Sequence, residues 1–600
     1  RIYPILHWIL AGLGMLRLSR AVGLSPAAGW IAAVSYTFSG VGIGEVFYTN
    51  IQPGMALLPW ALWAAGRPAS TLASRVLPAA LVLAVDLYAG DVFTIGIAIA
   101  AWALWILLET AASARRREAA ALAAAAGLAA LLAAPQIVSS ALWAPLTQRA
   151  VLGIPLKVAT TFSLSPWRLL ELVVPYPFGA TWSLEAPQIW GRTAFRNFFA
   201  TIFCGGLAAI ALPLLFRRGP RETVSRFAAA SIGAAAAACV LPGLLPASWG
   251  DWRSPIPLRY PEKFSVGLVF GLALAAALAT DRLRSGARPP RGRIAIALAL
   301  AAVAVAARLA PGAVGAVAAS AVGARPSADA GRQIAVAFAE AGLLWAVTLV
   351  AIELLPTRRR FALPAALGLL AAVPVLANAR IGRTEPEESI FRPPAFARFV
   401  ARRDPGHAFR TLDESRYRAP SDLDAAAQAR DALGVGFYRA SWFLYTSCLW
   451  DRGTVFNSDP DVGDFSRMES LRRLSAFFPN VPNGNALFAS GSLRWGIRFR
   501  DQAALPGFLE AGGNAFQRWD ENPAALSSVR VPDRFRETPG SVEALRSFPS
   551  LGAGEIVLET GRASSGISPA AAVEAIEDRA ERLRFSVTSS APAWVFVLRG

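Results

Sequence analysis

The sequence predicts a mainly α-helical, polytopic membrane protein followed by an extracytoplasmic soluble domain of mixed, β-rich structure. Three observations lead to this prediction. Of the 600 residues, 54% are hydrophobic and 17% are charged, and the mean hydropathy is +0.42, which is too apolar for an ordinary soluble protein of this length. Arginines cluster between long apolar runs. Those runs stop near Thr384, where charge rises.

The apolar runs are long enough, or nearly long enough, to cross a bilayer, and they predict about twelve transmembrane helices. The predicted spans are Tyr3 to Leu18, Ala27 to Ile43, Ile51 to Ala65, Val76 to Ala89, Val92 to Leu108, Ala119 to Leu142, Asn197 to Phe216, Phe227 to Leu245, Phe264 to Thr280, Ile294 to Leu309, Gln333 to Leu355 and Phe361 to Ala379.

The arginine clusters predict the orientation, because cytoplasmic loops carry an excess of Lys and Arg. Alternate connections hold such clusters, for example Arg115 to Arg117 and Arg358 to Arg360. The opposite connections, including Trp143 to Arg196 and Pro311 to Gly331, hold few short basic clusters and many interfacial aromatic residues. The last span therefore ends outside, and the soluble domain is expected outside the cytoplasm.

The domain organisation follows from the change in composition. Residues 1–380 are expected to form the transmembrane domain, and residues 381–600 the extracytoplasmic domain of α/β or β-rich structure. Short alternating segments such as Glu555 to Glu559 and Arg582 to Val587 predict strands. The chain begins with Arg1 rather than Met and stops within an apolar run, so we expect it to be truncated at both ends.

Composition and motifs exclude several classes of protein. The formal charge of +18 is spread over many loops rather than gathered in one patch, so nucleic-acid binding is not predicted. Cys204, Cys239 and Cys448 show no metal-type spacing, and no phosphate-binding loop or nucleophile elbow is present. No metal site is predicted, although the sequence leaves open whether a divalent cation is required.

Ionisable residues at the outer helix ends are the first candidates for function, because charges at membrane depth are costly. Asp91 and Glu45 are the candidate catalytic residues, and Asp86, inside an apolar run, is a candidate substrate-binding residue. All three could border a polar cavity that opens outward. An interhelical pair or a solvated turn is the alternative interpretation of Asp86 and Asp91.

The segment Arg259-Tyr260-Pro261-Glu262-Lys263 at the start of a span is the second candidate. Two cations beside a carboxylate could hold a phosphate or pyrophosphate at the membrane surface, with Glu262 paired to one of them. Arg149 in the long outer loop could add to this substrate-binding site. The alternative interpretation is interfacial snorkelling with a local salt bridge.

The order of these motifs resembles the YfhO-type family of bacterial membrane proteins, which is related to the GT-C class of glycosyltransferases. The similar segments are LHWILAGLGMLRLSRAVGLSPAAGWIAAVSYTFSG (Leu6 to Gly40), the Gly90-Asp91 turn, APQIVSSALW with Arg149, SLSPWRLLELVVPYPFG (Ser163 to Gly179), and RYPEKFSVGLVFGLALAAALATDRL (Arg259 to Leu283). They cover most of the membrane region.

The resemblance implies a GT-C-like fold and transfer of a sugar from a polyprenyl-phosphate carrier to a cell-envelope glycan or polymer, on the outer face of the bacterial cytoplasmic (inner) membrane. In the GT-C class the leading catalytic acid follows the first helix, so it is expected upstream of Arg1, with Asp91 and Glu45 as auxiliary residues. The partners are then membrane lipid, the lipid-linked sugar and the acceptor. A lipid or polysaccharide transporter or flippase, and a non-catalytic envelope-assembly protein, remain the competing hypotheses.

Overall fold

A computed structural model describes the chain in segments. These are residues 2–45, 51–66, 71–146, 154, 156–178, 198–217, 221–249, 252, 259–290, 292–322, 328–357, 360–382, 395–404, 410–413, 493–499, 507–513, 517–526, 529–540, 543, 547, 550–551, 554–560, 563–579 and 582–597. The chain divides into two compact units, one formed by Arg1–Trp143 with Gly153–Thr384 and the other by Ala144–Leu152 with Glu385–Gly600.

The first unit is α-helical. Its helices are α1 (Ile2–Ala21), α2 (Pro26–Thr37), α3 (Gly40–Gly44), α4 (Gln52–Gly66), α5 (Leu72–Ala89), α6 (Val92–Glu109), α7 (Ala112–Leu132), α8 (Ala134–Trp143), α9 (Leu156–Ala159), α10 (Gly206–Leu215), α11 (Glu222–Val240), α12 (Ser265–Arg284), α13 (Gly292–Leu309), α14 (Pro311–Val322), α15 (Ala328–Leu354) and α16 (Ala362–Asn378).

The protein is a multi-pass membrane protein, as predicted, but its spans differ in length. Among the described residues, seven helices are long and apolar enough to cross a bilayer, or eight if α7 and α8, bent by 70° at their junction, form one span. The other four predicted spans contain shorter helices: α2 with α3, α4, α10 and α16. The apolar runs there are interrupted, for example by Ser39, whose hydroxyl caps a new helix.

Helix α12 is the centre of the first unit. Nearly all of its side chains are buried. Gly267 and Gly271 lie against α11, and a Cβ at Gly271 would come within 2.8 Å of Ile232 Cγ1 and 3.2 Å of the Ala228 carbonyl oxygen. The small residues thus permit the close helix contact that their spacing indicates.

One connection differs from its prediction. The connection Pro311 to Gly331, which the sequence predicts to lie outside, contains helix α14, which packs on α15. Gly331 lies directly against the backbone of Pro311, where a Cβ would overlap the Pro311 carbonyl group. The alanine-rich run there has enough helix propensity to fold once it is packed.

The second unit contains β-strands and one described helix, α17 (Ala395–Arg403). The strands are β1 (Arg410–Asp413), β2 (Leu493–Phe499), β3 (Leu509–Gly513), β4 (Gln517–Glu521), β5 (Val529–Arg530), β6 (Arg534–Thr538), β7 (Glu555–Glu559), β8 (Ser564–Ile567), β9 (Ala571–Arg579), β10 (Arg582–Ser589) and β11 (Phe596–Val597). The two predicted strands are confirmed as β7 and the first part of β10.

The strands form a four-stranded sheet in the order β1-β2-β4-β3, a three-stranded sheet in the order β7-β6-β8, and two pairs, β9 with β10 and β5 with β11. In the larger sheet β1 and β2 are parallel, and the other neighbours are antiparallel. Helix α17 buries Phe396 and Phe399 against Trp495 and Trp519 of this sheet. The unit thus has its own apolar core.

Candidate functional site

Three predicted acids come together at one end of the helix bundle. Glu45 follows α3, Asp86 lies in the last turn of α5, and Asp91 is the N-cap of α6. Gly90 between the two helices has φ +83°, a conformation that favours glycine. This tight reversal brings Asp86 and Asp91 to the same place. We call Glu45, Asp86 and Asp91 the acid cluster.

Thr94 links two members of the acid cluster. Its hydroxyl lies 3.2 Å from Asp86 Oδ1 and 3.2 Å from the carbonyl oxygen of Asp91. The Phe93 amide donates to Asp91 Oδ1 over 3.4 Å. Gly54 of α4 packs against this link, because a Cβ there would overlap the Thr94 hydroxyl and come within 2.8 Å of Asp86 Oδ1.

Lys263 is the cation beside the acid cluster. Its ammonium nitrogen lies 3.8 Å from Asp91 Oδ1, and 4.9 Å and 5.4 Å from the ring centres of Phe93 and Phe198. Aromatic faces attract a cation, so these rings help to hold the ammonium group in a partly buried position. Lys263 and Asp91 therefore lie together, although the sequence pattern predicts them in separate candidate sites.

The acid cluster is buried. Glu45, Asp86 and Asp91 are 0%, 2% and 3% exposed. Within the described part of the chain, both carboxylate oxygens of Glu45 and Oδ2 of Asp91 have no hydrogen-bond partner. Such unsatisfied buried groups carry a desolvation penalty and need an explanation.

Burial changes the proton affinity of the two acids that lie between spans. Desolvation raises the pKa of Glu45 well above its ordinary value; the charges of Asp91 and Asp86 raise it further, while Lys263 lowers it. Desolvation also raises the pKa of Asp91, and Lys263 and hydrogen bonds from Phe93 and Thr94 oppose that rise. The two acids therefore differ: Glu45 holds its proton more firmly, and Asp91 is closer to ionisation.

Glu262 differs from its predicted role. It pairs with Arg168, whose Nη1 lies 2.5 Å from Glu262 Oε1, whereas pairing with Arg259 or Lys263 was predicted. Arg168 also donates to both carboxylate oxygens of Glu171, over 2.6 Å and 3.0 Å. All three side chains are buried. The predicted local salt bridge is replaced by one that joins residues 94 positions apart.

This Arg168–Glu171–Glu262 triad also holds backbone. The amides of Phe198 and Phe199 donate to Glu262 over 2.7 Å and 3.1 Å, and Arg168 donates to the Phe199 carbonyl over 3.0 Å. It therefore anchors the turn that carries Lys263 to the segment that carries the Phe198 ring. Arg168 and Glu171 are not among the residues predicted from the sequence, although both lie in the segment Ser163 to Gly179 that supports the family resemblance.

Arg259 lies beside the same turn. Its guanidinium carbon is 4.6 Å from the Tyr260 ring centre, and Tyr260 stacks on Phe198. Tyr260 has φ +66° and Phe162, whose ring it contacts, has φ +60°. Left-handed backbone at two bulky residues is costly and is typical of functional sites.

The remaining predicted residue, Arg149, lies outside the described residues. Among the residues that the structure describes, no group of three or more His, Cys, Asp or Glu side chains is arranged to hold a metal ion.

Comparison with known proteins gave structural neighbours only. No family model matches the chain, and no match was found among curated proteins. Crystal structures of ArnT from Cupriavidus metallidurans are similar, bound to undecaprenyl phosphate (13% identity, TM-score 0.43, covering 88% of this chain and 84% of that chain) and in the apo state (15%, 0.45, 87% and 83%).

A cryo-electron microscopy structure of the arabinofuranosyltransferase AftD from Mycobacteria is also similar, with 13% identity, a TM-score of 0.38 and coverage of 91% of this chain and 36% of that chain. Similarity at this level does not identify a function.

Proposed function

We propose that the protein is a membrane glycosyltransferase that moves a sugar from a polyprenyl-phosphate carrier to a cell-envelope acceptor. The proposal joins the family resemblance of the sequence to one structural observation, the buried acid cluster beside Lys263. Acids with raised pKa values next to a cation, at the end of a helix bundle, suit proton transfer coupled to departure of a phosphate.

The chemistry assigns different roles to the two acids. Asp91, closer to ionisation, accepts the proton of the acceptor hydroxyl as an auxiliary base, while Glu45 keeps its proton. The acceptor oxygen bonds to the anomeric carbon, and the bond from that carbon to the phosphate oxygen breaks. Lys263 and Arg259 then stabilise the negative charge that develops on the lipid phosphate.

The contact between Lys263 and Asp91 makes the basicity of Asp91 depend on donor binding. Lys263 lies 3.8 Å from Asp91 Oδ1. A phosphate that attracts Lys263 weakens this contact, and Asp91 then gains proton affinity. The base would thus be strongest when the donor is in place.

The location is part of the proposal. The site would face the outer side of the cytoplasmic membrane, with residues 381–600 extracytoplasmic, since the arginine-rich connections belong to the opposite side. An impermeant thiol reagent applied to intact spheroplasts should label an engineered cysteine at Ser458 but not one at Arg116. The reverse pattern would invert the topology.

Asp91→Asn tests the catalytic role. Full-length protein in liposomes is offered labelled polyprenyl-phosphate sugars and an envelope fraction, and transfer is measured. We expect a loss of about 10²-fold or more, typical for removal of a general base, and a much smaller effect on thermal stability. Asp329→Asn, which removes an exposed carboxylate paired with Arg332, is the matched control and should keep full activity. Equal activity of both variants would remove Asp91 from the site.

Arg259 tests the phosphate contact. An Arg grips two phosphate oxygens, whereas a Lys offers a point charge, so Arg259→Lys should weaken transfer and Arg259→Ala should weaken it further. If the variants bind the donor more weakly but turn over normally, Arg259 contacts the phosphate equally in the bound substrate and in the transition state. If turnover is slower, the contact strengthens as the phosphate departs. A purely structural snorkelling role requires Arg259→Lys to match the parent.

A transporter is the second candidate, and the 70° bend between α7 and α8 favours it, because transporters place interrupted helices at their substrate sites. The same liposome assay separates the two functions. Movement of the lipid-linked sugar across the bilayer without transfer to an acceptor would support transport.

A further inference from the structure

A basic groove lies at the other end of the membrane unit from the acid cluster. It has a volume of about 590 Å³ and is lined by Arg217, Arg288, Pro289, Pro290 and Arg293. Arg217 follows α10, Arg288 to Pro290 follow α12, and Arg293 is in the first turn of α13, so the groove lies where α10 and α12 end and α13 begins. We call these five residues the arginine groove.

Its depth in the membrane follows from α12. The apolar span Pro261–Arg284 has 24 residues, which is about 36 Å of helix at 1.5 Å per residue. Lys263 is near its first residue, and the arginine groove adjoins its last. The groove therefore lies at headgroup level on the opposite membrane face, which the arginine clusters mark as cytoplasmic.

Backbone contacts shape the groove before any ligand binds. Arg217 Nη1 donates to the Arg288 carbonyl oxygen over 2.9 Å, and the Arg293 amide donates to the Pro290 carbonyl over 3.3 Å. The adjacent prolines restrict the backbone between these arginines. The Arg217 side chain is thus fixed on the backbone of Arg288, and Arg293 begins its helix directly beyond the two prolines.

The charge of the groove is only partly balanced. Arg293 pairs with Glu353 over 2.8 Å, and that carboxylate is 65% exposed. Within the described residues, no ion pair joins Arg217 or Arg288 to a carboxylate, and both are exposed. The groove also adjoins the first turn of α13, where the helix dipole favours an anion. These features fit a phosphate group.

Apolar neighbours distinguish a lipid from a free phosphate. Phe216, directly before Arg217, is 82% exposed, and Ile294, directly after Arg293, is 54% exposed. Each guanidinium thus has an exposed apolar side chain beside it in sequence, at the depth where acyl chains meet headgroups. We propose that the arginine groove binds the phosphate headgroup of an anionic lipid of the cytoplasmic leaflet.

The test uses full-length protein in nanodiscs of phosphatidylcholine, with and without about one-fifth phosphatidylglycerol, at low salt. The measurement is the increase in thermal unfolding temperature that the anionic lipid causes. We expect Arg217→Gln/Arg288→Gln to lose at least about half of that increase, because two of the three cations are gone.

A matched control removes the same charge elsewhere. Arg116→Gln/Arg117→Gln changes two exposed arginines near the start of α7, in another arginine cluster predicted to be cytoplasmic, and should keep the increase. Equal loss in both pairs would indicate a general surface effect and overturn the site, as would equal retention. Inorganic phosphate added to phosphatidylcholine nanodiscs should not reproduce the increase; if it does, the ligand is a free anion and the lipid assignment is wrong.

A second double variant controls for misfolding of the glutamine variant. Arg217→Lys/Arg288→Lys keeps the charge but loses the planar two-point grip, so it should retain a partial increase. If the glutamine pair unfolds at a lower temperature in pure phosphatidylcholine, the lysine pair supplies the measurement. No change from the parent in the lysine pair, together with no loss in the glutamine pair, would refute the site.

Discussion

Arg168→Met is the most informative test of how the candidate site is held together. Arg168 makes four close contacts, two with Glu171 at 2.6 Å and 3.0 Å, one with Glu262 at 2.5 Å and one with the Phe199 carbonyl at 3.0 Å. Methionine fills similar space but leaves two buried carboxylates without their cation. Removal of one partner of a buried ion pair costs about 3–5 kcal/mol.

The loss of stability caused by Arg168→Met should be smaller if one of the carboxylates is also replaced by a neutral side chain. Glu262 keeps two backbone amide donors after the change, and Glu171 keeps the Ile202 amide at 3.0 Å. Glu262→Gln in the Arg168→Met background removes one of the uncompensated charges. The double variant should therefore be destabilised by less than the sum of the two single variants.

Unfolding of the full-length protein in mixed detergent micelles, followed by tryptophan fluorescence, measures these differences. Arg332→Met is the control, because Arg332 forms an ion pair in which both side chains are more than half exposed, and such pairs contribute about 1 kcal/mol or less. Equal destabilisation by Arg168→Met and Arg332→Met would refute the reasoning. Strict additivity of the Arg168 and Glu262 changes would refute the coupling.

Two further predictions concern the acid cluster. Burial raises the pKa of Glu45, so the folded state binds the Glu45 proton more tightly than the unfolded state, and the protein loses stability as pH rises through and above 4.5. Glu45→Gln should therefore be more stable than the parent, increasingly so from about pH 5 to about pH 8. Parallel plots of unfolding free energy against pH for the variant and the parent would contradict this. Gly54→Ala should lower stability and transfer by displacing the Thr94 hydroxyl, whereas Gly96→Ala, with open space around its new methyl group, should do neither; equal melting temperatures would show that the contact at Gly54 is not tight.

The sequence predicted those features that depend on local pattern. Hydropathy predicted the membrane class, and alternation predicted β7 and β10. The cost of charge near the membrane selected Glu45, Asp86 and Asp91, which the fold brings together. The number of long spans was not predictable from apolar length alone, because a capping residue such as Ser39 divides one run into two short helices.

Long-range contacts were not predictable in this way. Glu262 is adjacent to Lys263 in the chain, so a local salt bridge was the natural expectation, but its partner lies 94 residues away. Arg168 sits among apolar residues without a nearby sequence signal for Glu262. A buried arginine among apolar residues does carry one general signal, since it requires acceptors within the fold. Glu171, three residues later, is one such acceptor, so this signal points to the Arg168–Glu171 pair but not to Glu262.

Several structural features that lower stability lie together near the acid cluster, at one end of the helix bundle. Within the described residues, carboxylate oxygens of Glu45 and Asp91 are buried without hydrogen-bond partners, and Phe162 and Tyr260 adopt left-handed backbone nearby. Each of these features lowers stability, and such features persist only where contacts with the surrounding structure hold them in place. The Arg168–Glu171–Glu262 triad provides such contacts, because Glu262 binds the Phe198 amide and its own amide donates to the Phe162 carbonyl oxygen. Features that lower stability and are fixed by a separate buried network are what we expect if Asp91 and Lys263 carry the proposed chemistry, because a need for stability alone would not retain them.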